Sequence, residues 1–369
     1  MPALFSPLAL GTLSLDNRLV VPPMCMYAAE DGHATDFHLM HYGNLAQSGA
    51  GLLIVEATAV EARGRISPFD LGLWNDAQAQ ALAPVLAHIR RHSRVRVAIQ
   101  LAHAGRKASH ARPWEGGAAL PAEHALAWPT ISASDRGFMP TDPTPHAATL
   151  EDLAAIKQAF VDAALRAHRL GFDAIELHAA HGYLLHQFLS PLSNRRSDAY
   201  GGSLDNRMRL TLEVFEAMQA ALPAGFPLGV RISATDWIEG GWDVSQSVHL
   251  AQALAQRGCA FLHVSSGGLD PAQHIPLGPS YQAPLAEALR RALHGAMPVI
   301  AVGLITEAQQ AQDILDAGQA DAIGVARGML YQPRWGWEAA RQLGASVHCA
   351  PQYLRSEPRD AKGLLHAAV

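Results

Sequence analysis

Runs of aliphatic and β-branched residues recur along the chain, separated by stretches whose apolar positions repeat every three to four residues. Eight runs stand out: Arg18–Met24, Gly51–Ala59, Val95–Ala102, Phe172–Ala179, Leu228–Ala234, Ala260–Ser266, Pro298–Leu304 and Asp321–Ala326. They are apolar at nearly every position, as strands covered on both faces must be. Seven helical patterns fall between and after them: Asp36–Gln47, Ala77–Arg91, Leu150–Leu170, Ser245–Gly258, Pro284–Leu293, Thr306–Gly318 and Trp335–Leu343. Thr35, Asp76 and Thr149 are the expected caps of the first three, and Gly171 closes the third. Strands alternating with helices imply parallel neighbours, so the pattern predicts an α/β fold, a (β/α)8 TIM barrel forming one domain over 1–369. A doubly wound open sheet is the competitor, but it would advertise a G-x-G-x-x-G or Walker loop, and the chain has neither.

Two interruptions break the rhythm. Ala104–Ala148, rich in Pro, Gly, Ala and Trp, follows the third run, and Gly182–Arg207 follows the fourth. Loops after barrel strands emerge at the carboxyl face, so both belong to one rim, and the first is expected to be a cap or lid.

Composition narrows the partners. Of 369 residues, 49% are hydrophobic and 17% charged, and the net charge of −5 leaves no electrostatic footprint for nucleic acid. Small molecules are the expected ligands. No apolar run approaches the ~20 residues needed to cross a bilayer, and Met1–Leu15 has no basic region leading an apolar stretch, so no membrane association is expected. Cys25, Cys259 and Cys349 lie far apart without a C-x-x-C pair, against a disulfide framework or an iron–sulfur cluster. A reducing cytoplasmic setting is the expectation.

The chemistry concentrates at Ile175-Glu176-Leu177-His178-Ala179-Ala180-His181-Gly182-Tyr183. Strand side chains alternate faces, so Glu176 and His178 share one side. In a barrel His178 then points inward at the carboxyl end, with His181 and Tyr183 on the loop above. Gln100, Arg231 and Arg327 are polar residues flanked by branched apolar ones, where a barrel interior should be dry. Singly, each reads as a polar group satisfied inside the barrel, for example by an ion pair of Arg231 with Glu176 or Glu56. Together, and with histidines on the same rim, they suit the edge of a heteroaromatic ring carrying carbonyls and N–H groups. Gly303 and Ala326-Arg327-Gly328 occupy the ends of the seventh and eighth runs, where barrels often hold phosphate. The combination suggests FMN rather than a dinucleotide. The plainer readings are a metal pair at His178 and His181 that lacks an evident third ligand, a loop-anchoring Tyr183 and a core Cys25.

Four motifs carry a resemblance: Pro22-Pro23-Met24-Cys25-Met26-Tyr27, Gln100-Leu101-Ala102-His103-Ala104-Gly105-Arg106-Lys107, His178-Ala179-Ala180-His181-Gly182-Tyr183, and Ser193 through Ser203 with its Tyr200-Gly201-Gly202. In order and spacing they resemble the Old Yellow Enzyme family of FMN-dependent ene-reductases, and most of all its bacterial NADPH dehydrogenase and xenobiotic reductase branch, from Leu4 to about Arg355. The resemblance implies FMN bound by Pro22, Pro23, Met24, Cys25, Ala57, Gln100, Arg231, Gly303, Ala326 and Arg327, with Cys25 tuning its potential. It implies NADPH as hydride donor and activated alkenes (enones, enals, nitroalkenes, maleimides) as acceptors. Tyr27, His178 and His181 would hold the substrate, and Tyr183 would donate the proton. It also implies a homodimer or homotetramer with a shared site, the tail 349–369 carrying Arg355 into a neighbouring subunit. No metal is implied.

Overall fold

Eight parallel strands close on themselves in the computed structural model, which describes residues 1–368. They are β1 (Leu19–Val21), β2 (Leu52–Ala59), β3 (Arg96–Ala102), β4 (Ala174–Ala179), β5 (Leu228–Ser233), β6 (Leu262–Ser265), β7 (Val299–Val302) and β8 (Ala322–Gly324). Each pairs with the next, and β8 returns to β1 through Ile323 opposite Leu19. This is the predicted TIM barrel. Every strand lies inside its predicted run but is shorter. β1 is trimmed most, because Pro22 and Pro23 have no N–H to continue the ladder.

Helices α1 (Asp36–Leu45), α2 (Asp76–His92), α3 (Leu150–Leu170), α4 (Leu204–Ala221), α5 (Val244–Gln256), α6 (Ala283–Leu293), α7 (Ala308–Asp316) and α8 (Trp335–Leu343) surround the strands. The sequence reading omitted α4 and ran the second interruption four residues into it. Ser203 ends the interruption by accepting the Asn206 N–H at 3.3 Å, and α4 buries Met208, Thr211, Phe215 and Met218, a helical spacing that was there to read. Caps shift by a residue or two. Asn75, one residue before the expected Asp76, and Asp243, two before the predicted start at Ser245, accept the third-residue N–H at 2.9 Å, and Glu307, one after the predicted start at Thr306, caps α7.

Alternation divides the core. Odd-numbered residues of β3 and β4, such as Ile99, Leu101, Ile175 and Leu177, face the helices, while Ala98 and Ala174 join Val20, Ile54, Phe261, Ile300 and Ala322 inside the barrel. The barrel floor is sealed by a hairpin, Leu8–Leu10 against Leu13–Leu15, whose Leu10, Leu13 and Leu15 pack on that inner cluster. The hairpin was not anticipated, since three-residue strands fall below the length at which alternation is diagnostic.

The segment 104–148 is a cap with one short parallel pair, Ile131–Ser132 beside His146–Ala147. Arg106 ties it down, donating to the carbonyls of Arg136 and Gly137 at 3.3 and 3.1 Å and, from its other terminal nitrogen, to Leu269 O at 2.6 Å. Near the carboxyl end Val347–Cys349 pairs with Leu365–Ala367, and the intervening residues 351–356 are exposed. Among the described residues no helix is long and apolar enough to cross a membrane.

Candidate active site

Strand register assembles the upper half of the barrel interior. Gln100 lies beside Glu176, and Arg231 lies between His178 on one side and His263 on the other. Glu176 accepts from Gln100 Nε2 at 2.7 Å and faces His263 Nδ1 at 2.7 Å. Burial and the nearby Arg231 hold the His263 imidazole below its ordinary value, so it is neutral and donates Nδ1–H to Glu176. Both carboxylate oxygens are then engaged, and Arg231 is left over. Its Nε is buried without a hydrogen-bond partner, and no carboxylate pairs with it among the described residues. The internal ion pair that the sequence allowed is therefore not formed. Glu56, the other candidate partner, instead accepts from Met26 N–H at 2.8 Å and the Tyr42 hydroxyl at 2.9 Å. Burial pushes its carboxyl up to about 8.

At the carboxyl end of β4, Ala180 N–H donates to His178 Nδ1 at 3.2 Å, which fixes that ring's proton on Nε2. His178 Nε2 lies 3.4 Å from His181 Nδ1, and the Tyr183 ring stands edge-on to His178 at 4.9 Å between centroids. Burial first, then Arg231, lowers both imidazoles well below their ordinary value. They are neutral at physiological pH, not a charged pair. Burial likewise raises the Tyr183 phenol well above its ordinary value, so it keeps its proton. His181 Nε2 sits 2.8 Å from Ser265 Oγ. For both imidazoles to present N–H to one oxygen, His181 must carry its proton on Nδ1, and then Ser265 must donate to Nε2. Among the described residues no group of three or more His, Cys, Asp or Glu is placed to hold a metal.

The segment after β1 crosses the same rim. Pro22 is buried, and Pro23, Met24 and Cys25 are partly exposed along an extended stretch without secondary structure. Burial, with Asp70 and Glu56 behind it, raises the Cys25 thiol above its ordinary value, so it is a neutral thiol. Tyr27 is left-handed (φ +54) and meets the edge of Trp114 from the cap at 5.9 Å. In β2 a register shift between Val55 and Thr58 marks a bulge at Glu56 and Ala57. Gly303 and Ala326-Arg327 follow the adjacent strands β7 and β8. Gly303 has φ +123, and a Cβ there would come within 2.3 Å of Gln282 Nε2.

One predicted residue is not among them. Arg355 lies in the exposed stretch 351–356, beside a Tyr353 that packs on Trp337 and Arg334 on the outside of the barrel. The sequence reading passed over Ser265, His263 and Lys107. The first two lie in Leu262-His263-Val264-Ser265-Ser266, where alternation puts His263 and Ser265 on the inner face with Phe261.

Against known proteins, the model of the NADH:flavin oxidoreductase / NADH oxidase family matches residues 3–345. The chain belongs to this family, the Old Yellow Enzymes. It is 44% identical to an NADPH dehydrogenase of Halalkalibacterium halodurans over 355 residues, covering 96% of this chain and 98% of the relative. It is 42% identical to an NADH:flavin oxidoreductase of Gibberella zeae over 366 residues, covering 94% and 87%. Morphinone reductase superposes with a TM-score of 0.77 at 28% identity, covering 100% of this chain and 94% of that one. As an Old Yellow Enzyme it is an FMN-dependent NAD(P)H oxidoreductase. The residues present fit the cofactor: a buried guanidinium with an unpaired Nε and an amide, Gln100, suit the carbonyl edge of an isoalloxazine, and Gly303 with Ala326 and Arg327 suit a phosphate.

Proposed function

We propose that this Old Yellow Enzyme is an NADPH-dependent ene-reductase acting on activated alkenes such as enones, enals, nitroalkenes and maleimides. The observation that carries the reading is the pair of neutral imidazoles, Nε2 and Nδ1 only 3.4 Å apart, beside a protonated tyrosine on the rim above Arg231. When bound, FMN supplies the hydride chemistry, taking hydride from NADPH and passing it to the β-carbon of the alkene. The chain supplies the rest. Arg231 and Gln100 would hold the pyrimidine edge of the cofactor, Cys25 would lie near its reactive edge, and Gly303 and Arg327 would hold its phosphate. His178 Nε2–H and His181 Nδ1–H would bind the carbonyl or nitro oxygen and stabilise the negative charge that develops there, each by roughly 3 kcal/mol. Tyr183 would deliver its proton to the α-carbon, and Tyr27, under the cap, would cover the substrate.

Anaerobic titration tests this. NADPH should bleach the flavin absorbance, and 2-cyclohexenone or a maleimide should restore it. Colour that returns only with oxygen would refute the ene-reductase reading while leaving the flavin chemistry intact.

Assembly belongs to the same proposal. Tyr353 lines a groove with Leu39, Met40 and His88, and Met40 and Leu354 are exposed at 63% and 37%. We infer a homodimer, or a tetramer of such dimers, in which this face is covered and Arg355 reaches the partner's site. The three unpaired thiols fit a cytoplasmic setting.

A further inference from the structure

The dipeptide His181-Gly182 is left-handed at both residues, with φ +57 and +74, a conformation that strains His181 by about 1–2 kcal/mol. Each of its four backbone polar groups meets a side chain. His181 N–H donates to Ser233 Oγ at 2.9 Å, and His181 O accepts from Lys107 Nζ at 2.9 Å. Gly182 N–H donates to His186 Nδ1 at 2.9 Å, and Gly182 O accepts from Gln187 Nε2 at 2.7 Å. Lys107 donates also to Gly268 O at 2.9 Å. The loops after β4 and β6 touch at this point: a Cβ on Gly182 would lie 2.1 Å from Gly268 O, and one on Gly268 would lie 2.7 Å from the His181 backbone. Of the four side chains Lys107 alone carries an ammonium. Its ammonium faces the ring of Tyr183 at 5.2 Å and that of Phe138, from the cap, at 4.5 Å.

We propose that Lys107 is a positioning residue that fixes the His178–His181 pair and raises the acidity of Tyr183, by gathering the loops after β3, β4 and β6 onto one ammonium. This rests on the ene-reductase reading of those three residues. Two carbonyls aimed at a cation set the backbone that carries His181, and charge-assisted hydrogen bonds are about twice as strong as neutral ones. A cation over the face of a phenol favours the phenolate, and so opposes the effect of burial on Tyr183.

The charge on Lys107 is conditional. Facing it are Arg106 and His110 from its own loop and His178, His181 and Tyr183 from the loop after β4, while Asp270 beyond β6 acts on Arg106. Burial and then Arg106 lower the Lys107 ammonium to about 8, whereas the phenol stays well above its ordinary value. In mildly alkaline solution the amine keeps two N–H groups, so the loop stays tied, but Tyr183 loses the ammonium over its ring and keeps only the more constant charge of Arg231.

The test compares the FMN-loaded wild type with Lys107→Met and Lys107→Arg on 2-cyclohexenone from about pH 6 to 10. Wild-type kcat should fall above about pH 8. Lys107→Arg, charged throughout, should move that fall upward by at least about one pH unit. Lys107→Met should lose roughly tenfold or more in kcat and show no fall near pH 8. Its segment 178–187 should also exchange amide hydrogens faster. Wild-type kcat and exchange in Lys107→Met, or an unmoved fall in Lys107→Arg, would overturn the proposal. If Lys107→Met does not fold, the comparison of Lys107→Arg with wild type decides alone. A wild type inert toward enones at every pH would instead refute the ene-reductase reading, and amide exchange would still decide the role of Lys107 in the loop.

Discussion

The two halves of the barrel interior are built on the same strands with the same alternation, yet they differ in kind. The lower half, from Val20 to Ala322 over the hairpin leucines, is wholly apolar. The upper half, two residues further along the strands, holds Gln100, Glu176, Arg231 and His263, all buried. Polar groups in the upper half satisfy one another only in part. Glu176 is fully engaged, while Arg231 Nε and His263 Nε2 have no partner. A buried guanidinium that feels Glu176 nearby but has no hydrogen-bonded counter-ion is costly to a fold, and packing alone does not explain it. The lower half is therefore stability, and the upper half gives up stability, as the proposed binding of a cofactor edge requires.

Substitutions can separate the halves. The largest effect should come from the rim: His178→Ala with His181→Ala should slow flavin reoxidation by an enone by roughly 10³–10⁴-fold with FMN retained, measured by stopped flow. Next, Phe261→Ala in the lower half should cost about 3–5 kcal/mol in denaturant unfolding and leave FMN affinity nearly unchanged. Arg231→Met should do the reverse, weakening FMN by roughly 100-fold in a fluorescence titration without lowering the Tm of the apoprotein. A lower apoprotein Tm would erase the contrast between halves. The smallest effect concerns Glu56. Its folded-state carboxyl is raised to about 8, so the stability it contributes is full below the ordinary carboxylate range and is lost as pH rises through about 8. His38 and His41, lowered to about 4, act in the opposite direction below pH 6.5. Between about pH 6.5 and 8 the Tm of the wild type should therefore decline, and Glu56→Gln should flatten that decline.

Much of this is legible in the chain alone. The strand runs, the shared face of Glu176 and His178 and the rim location of His181 and Tyr183 all follow from a period of two and the direction of the strands. Partner choice was not legible. Glu176 and Glu56 looked like counter-ions for Arg231, but register hands Glu176 to Gln100 and His263, and helix α1 brings Tyr42 to Glu56. The loop that carries His181 was opaque for another reason. A left-handed histidine leaves no compositional mark, and the side chains that stabilise it come from positions as distant as Lys107 and Ser233. Helix α4 was legible in the spacing of Met208, Thr211, Phe215 and Met218, although the glycines of Tyr200-Gly201-Gly202 read as loop just before it.

The contact between Gly182 and Gly268 bears on how this enzyme can be remodelled. Any side chain at either position must push the two loops apart, so random libraries that include them will be dominated by dead clones. Trp114, 64% exposed on the cap and touching the edge of Tyr27 and Arg112, can be exchanged without forcing two backbones apart. Selectivity can be evolved from the lid inward, while the floor of the pocket is inherited unchanged.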